Sequence, residues 1–135
     1  MTSTEEVART LTESLQLSLS PIAISFADAV PENIAAYRGS APAGCRFWQE
    51  AATRVFATVP RDHELCCIGV YTHHLPGGPG YQTNLQDALK VFGDLGYVRE
   101  SDLAFIPVLN REAKVVIYGP LGVKSPPARC GASIC

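Results

Sequence analysis

The amino-acid sequence predicts an α+β fold, a small mixed β-sheet packed with about three helices. Three observations predict it. Two long segments carry apolar residues at helical spacing behind capping-box signals, and several short β-branched runs are bounded by Pro and Gly. Helical and strand-like segments also interleave without the regular alternation of a parallel α/β chain. At 135 residues the length fits a single domain, 1–135, large enough for one hydrophobic core.

The elements follow in order. Ser3 to Gln16 reads as an amphipathic helix: Ser3 and Glu6 have capping-box spacing, and Val7, Leu11 and Leu15 recur on one side. Pro21 then opens Ile22-Ala-Ile-Ser-Phe26, a short alternating run expected as a strand. Asp28 to Gly44 carries Pro31, Gly39, Ser40, Pro42 and Gly44 and reads mostly as loop, with a helical turn near Glu32–Tyr37. Arg46 to Phe56 is expected as a second helix, with Phe47, Ala51 and Val55 on one side and Trp48 flanking them.

Val59-Pro-Arg-Asp62 reads as a turn, and the run from Cys66 toward His74 as a strand. On a strand, Cys66 and Cys67 face opposite sides, and so do His73 and His74. Leu75-Pro-Gly-Gly-Pro-Gly80 is expected as a mobile loop or lid. Thr83 and Gln86 open a third helix with Leu85, Leu89, Phe92 and Leu95 inward, and Gly96 stops it. Arg99–Phe105 reads as a short helical turn. Ile106–Leu109 and Lys114–Gly119 are expected as a hairpin, with Pro107 keeping the first run at an edge. The remaining tail reads as loop.

Composition excludes several classes. The formal net charge is −2, and the eleven Lys and Arg residues form no cluster, so no nucleic-acid partner is expected. The polar, acidic N-terminus does not resemble a signal peptide. No apolar run approaches the roughly 20 residues of a membrane helix, so a cytoplasmic protein without a membrane partner is expected. Gly77-Gly-Pro-Gly80 lacks the Gly-Lys-Ser/Thr of a phosphate loop, and Pro79 removes a backbone donor, which argues against nucleotide binding.

Five cysteines, Cys45, Cys66, Cys67, Cys130 and Cys135, are many for such a chain. Their odd number and the missing secretion signal argue against a disulfide framework. Each alone is most simply a small buried side chain. Cys45 stands out because it falls at a helix start beside Arg46, where amide N–H groups and the helix dipole favour a thiolate. Cys130 and Cys135 have the four-residue gap that opens plant-type ferredoxin motifs, without the companion pair. Zinc-finger spacings are absent, so any metal site must be assembled from distant segments.

The leading expectation is therefore a cysteine-based metal or iron–sulfur site with Cys45 and Cys66 as cofactor-binding ligands. Cys130 and Cys135 are further candidate metal ligands, and His73 or His74 can contribute. The alternative is a thiol-dependent enzyme in which Cys45 or Cys66 is activated by His63, His73 or His74. A third reading is a non-catalytic ligand-binding or assembly module whose cysteines fill the core. The sequence identifies no small-molecule ligand.

Several stretches together resemble the bacterial and archaeal family catalogued as domain of unknown function 169. They are Ser20-Pro-Ile-Ala-Ile-Ser-Phe26, Cys45-Arg-Phe-Trp-Gln-Glu-Ala51, Glu64-Leu-Cys-Cys-Ile-Gly-Val-Tyr-Thr-His-His-Leu-Pro76, Gly96-Tyr97, Ile106-Pro107 and Val115-Val-Ile-Tyr-Gly-Pro120. The resemblance implies that Cys45 and one of Cys66 and Cys67, for which we choose Cys66, occupy recurrent cysteine positions. It supplies no reaction. Family members tend to run on past the Tyr-Gly-Pro segment, which implies a shortened member or fragment whose core is closed by self-association into a homo-oligomer.

Overall fold

Alternating apolar residues near Ile22 and Val115 produce the two long strands of the fold. In the computed structural model, which describes residues 3–39, 44–97, 99, 101–102 and 112–122, they pair directly. Strand β1 (Ile22–Ala27) runs antiparallel to β3 (Val115–Pro120), with Ile24 opposite Tyr118 and Phe26 opposite Val116. The short β2 (Phe56–Thr58) takes the other edge of β3, with Phe56 opposite Tyr118 and Thr58 opposite Val116. The order is β1-β3-β2. All named pairs are antiparallel, so the expected mixed sheet is corrected; the parallel element is an isolated bridge between Ala36 and Ala57.

Strand alternation sends β3 side chains to two cores. Val116 and Tyr118 face a cluster with Phe47, Ala51, Phe56, Val70 and Leu75, to which Ile22, Ile24 and Phe26 add. Val115 and Ile117 face a second cluster with Ala27, Ile34 and Ala57. Removing each large side chain from water contributes about 1.5–3 kcal/mol. A strand buried on both faces therefore anchors the fold. The segment after β1 reaches this second core through a turn at Glu32–Asn33 and then the Ala36 bridge, in place of the expected helical turn at 32–37.

Helix α1 (Thr4–Leu15) forms as its capping box predicts, with the Ser3 hydroxyl accepting from the Glu6 amide at 3.1 Å. Its apolar stripe of Val7, Leu11 and Leu15 is exposed, and no residue of α1 is buried among the described residues. Helix α2 (Cys45–Ala51) buries Phe47 and Ala51. It stops five residues short of the expected end at Phe56, because Phe56 joins the sheet and packs its ring on Phe47 and Tyr118. Tertiary packing outweighs local helical periodicity here.

The largest correction concerns the run after His63. The expected strand is helix α3 (Cys67–Thr72), preceded by a 3-10 turn over Pro60–His63. Both edges of β3 over Val116–Tyr118 are already paired, so no position beside the central strand is left for this run. As a helix it buries Val70 instead. It ends where His74 adopts a left-handed backbone (φ 49°), with Leu75 N–H donating to the Val70 carbonyl and His74 N–H to that of Tyr71. These two bonds make a Schellman closure with buried Leu75 against Val70.

Gly77 of the following loop packs against the Tyr81 ring, and helix α4 (Tyr81–Asp94) begins after left-handed Gly80. It therefore starts two residues before the capping signal at Thr83. Leu85 is buried, whereas Phe92 and Leu95 are exposed. Gly96 at φ 75° closes it as expected, with Tyr97 N–H donating to the Phe92 carbonyl. The expected strand at Ile106–Leu109 and most of the turn at 99–105 lie outside the described residues. Among the described residues, no helix is long and apolar enough to cross a membrane.

This packing separates two neighbours on α2. Phe47 is fully buried among the rings of Tyr37, Phe56, His63 and Tyr118, whereas Trp48 is 52% exposed. Phe47→Ala is expected to cost about 3–5 kcal/mol in urea unfolding. Trp48→Ala should stay within about 0.5 kcal/mol of the parent.

Candidate functional site

The site is built on the 3-10 turn. Pro60 sets its first position, and the Asp62 carboxylate accepts from the Val59 amide at 2.8 Å. The turn drives His63 inward until only 1% of its surface is exposed. Its ring lies 4.9 Å from that of Phe47, 5.9 Å from that of His73 and 6.3 Å from that of Tyr118, centre to centre.

Hydrogen bonding selects the tautomer. His63 Nε2 lies 2.8 Å from the Thr58 hydroxyl, which lies 3.2 Å from the Val116 carbonyl. A hydroxyl has one proton, and a carbonyl can only accept. Both bonds form only if Thr58 donates to Val116 and accepts from a protonated Nε2. The other tautomer loses one bond and buries an unpaired N–H. Nε2 therefore carries the proton, and Nδ1 presents a bare lone pair. Nδ1 is buried and has no hydrogen-bond partner among the described residues. Leaving such an acceptor unmatched costs about 1–3 kcal/mol. Burial, with nearby His73 adding to it, pushes the His63 pKa down to about 4, so the ring is a free base at neutral pH.

Cys66 follows one turn later, its amide donating to the His63 carbonyl at 2.8 Å. Its sulfur occupies room left by two glycines. A Cβ on Gly69 would lie 3.0 Å from Sγ, and one on Gly44 3.2 Å from it. The same position on Gly69 lies 3.6 Å from His63 Nδ1. Thiol and lone pair thus flank one glycine. Gly69 stands inside α3, where glycine costs about 1 kcal/mol relative to alanine. An alanine there would press on the sulfur.

A second histidine completes the polar chain. The His73 ring lies with Nδ1 3.0 Å from the Thr72 hydroxyl, which itself donates to the Ile68 carbonyl at 3.0 Å. By the same proton count Nδ1 donates and Nε2 accepts from the Tyr118 hydroxyl at 3.3 Å. Burial lowers the His73 pKa and raises that of Tyr118; a thiolate at Cys66 would raise Tyr118 further. Both histidines are therefore held neutral.

The expected ligands sit at the ends of two helices, Cys45 at the start of α2 and Cys66 and His73 flanking α3. Cys67 donates to the Asn84 carbonyl at 3.4 Å, tying α3 to α4, and burial raises its pKa. Cys45 begins α2 and is exposed. His74 turns the chain after α3, and its carbonyl accepts from the Ala113 amide. Cys130 and Cys135 lie outside the described residues. Among the described residues no group of three or more His, Cys, Asp or Glu side chains is disposed to hold a metal. Among the described residues Cys66 Sγ and His63 Nδ1 offer two donors, where a structural zinc or a cluster takes four.

Sequence reasoning had His63 among its possible bases but missed Thr58, Gly44, Gly69 and Tyr118. The usable signal was His63-x-x-Cys66, one helical turn, together with a glycine three residues further on. Reading the run as a strand concealed it. No protein-family model, no curated protein and no solved structure matches the chain.

The depressed His63 pKa gives a signed pH dependence. An unfolded histidine binds its proton near pH 6.5, the folded one only near 4. Stability should be fully present above about pH 6.5, fall between 6.5 and 4, and level off below, by about 3 kcal/mol in all. Urea unfolding across this range checks it, and His63→Phe should make the fall shallower, leaving the share that the lowered His73 pKa contributes. A parent profile that is already flat would refute it.

Proposed function

We propose that the protein is a thiol-dependent enzyme in which Cys66 is the nucleophile and His63 its general base. One observation carries this reading: the buried, unpartnered Nδ1 of His63 and the Cys66 Sγ lie within 3.6 and 3.0 Å of one point, the Cβ position of Gly69. Nucleophile, base and an orienting third group are the parts such chemistry requires, and Thr58 is the third. As sulfur bonds to an electrophilic centre, its proton passes to Nδ1. The resulting imidazolium keeps its Nε2–H on the Thr58 oxygen, so the ring need not move. The free thiols of Cys45, Cys66 and Cys67 suit the cytoplasm, where cysteines stay reduced.

Alkylation resolved by cysteine tests the proposal. Cys66 should react with iodoacetamide at neutral pH much faster than the other four cysteines. His63→Phe, which keeps a ring against Phe47, should slow it on the order of 100-fold. Thr58→Val should slow it as well by releasing the tautomer, and Thr58→Ser should restore the parental rate. Uniform slow labelling would overturn the proposal. Stoichiometric metal and a visible absorption band in anaerobically purified protein would replace it with a metal or iron–sulfur centre on Cys45 and Cys66.

A further inference from the structure

We propose that Cys66 takes one oxygen atom from hydrogen peroxide or an organic hydroperoxide and holds it as a sulfenic acid hydrogen-bonded to His63 Nδ1. The inference rests on the reading of Cys66 as the reactive thiol and names its substrate class.

Two features carry it. First, a buried acceptor without a donor shares with the sulfur the space around Gly69, 3.6 and 3.0 Å from its Cβ position. A thiol is a weak donor, and the Cys66 thiol makes no hydrogen bond to Nδ1 as placed. A sulfenic acid puts a strong O–H donor one bond further out on the same side chain, which is what Nδ1 lacks. Second, the sulfur sits where side chains on Gly44 and Gly69 would crowd it, a Cβ on either lying 3.2 or 3.0 Å from Sγ. A small, unbranched oxidant meets less obstruction there than a bulky carbonyl compound. The adjacent thiol does not compete, because Cys67 is turned to the Asn84 carbonyl.

The step balances without another reactant. Nδ1 takes the thiol proton, and the sulfur attacks the hydroxyl oxygen of the hydroperoxide. An S–O bond forms as the O–O bond breaks; sulfur loses two electrons, and the departing oxygen takes the pair. That oxygen then takes the proton from His63 and leaves as water or an alcohol. The transferred oxygen keeps its own hydrogen, and His63, again a free base, accepts it in a hydrogen bond.

The full chain, treated with stoichiometric hydrogen peroxide and then with a 1,3-diketone that traps sulfenic acids, gives the test by site-resolved mass spectrometry. The adduct should concentrate on Cys66 over the other four cysteines. His63→Phe should lower its rate of formation on the order of 100-fold. Gly69→Ala, checked for parental circular dichroism, should lower it too. Adduct spread evenly over the cysteines, or none on Cys66, would overturn the inference. Iodoacetamide rates on the same protein separate the two failures. Fast alkylation of Cys66 without trapped sulfenic acid removes the peroxide inference alone, and slow alkylation together with no adduct removes both readings.

Discussion

The double burial of Val115–Pro120 is the constraint on which the rest of the molecule depends. The strand is hydrogen-bonded along both edges and packed on both faces. It therefore fixes where β1, β2, α2 and α3 can go. β1 and β2 take its edges, α2 and α3 cover the Val116 and Tyr118 side, and the chain after β1 covers the other. The same strand supplies two parts of the site, the Val116 carbonyl that orders Thr58 and the Tyr118 hydroxyl that bonds His73. Packing and chemistry thus share one element.

Two histidines kept neutral inside an aromatic cluster give the site its character. His63 packs edge-on against Phe47 and stacks on Tyr118, and His73 packs edge-on against Phe26 and tilted against Tyr118. The polar atoms are satisfied one after another, from Val116 to Thr58 to His63 and from Ile68 to Thr72 to His73 to Tyr118. The chain of bonds stops at His63 Nδ1. An interior that satisfies nearly every polar group makes that exception informative.

Much of the fold was legible in the sequence. The capping box at Ser3, the alternating run at Ile22 and the glycine stop at Gly96 act locally, and local chemistry suffices to read them. Phe56 and the Cys66–Thr72 run were misread for one shared reason. Their state depends on which edges of β3 are free, and nothing within a dozen residues of either encodes that. The site followed the same division. His63 and Cys66 were visible as reactive types, but their common nearness to Gly69 required the helical turn. Thr58, Gly44 and Gly69 are ordinary residues whose roles exist only in three dimensions. Cys45, singled out for its helix-start position, is exposed at the start of α2.

The spatial order β1-β3-β2 also has a kinetic meaning. The strand at the centre of the sheet is the last of the three in the chain, and its partner β1 lies near the other end. Neither β1 nor β2 can complete its pairing until residues 115–120 have emerged during synthesis. Closing such long loops precedes the gain from the contacts they enable, so non-local sheets fold slowly. A nascent chain stalled before Val115 would expose the apolar faces of β1 and β2 and would have no ordered Thr58–His63 pair. The hydrogen bond that orients the His63 ring through Thr58 would thus be anchored only when the sheet closes.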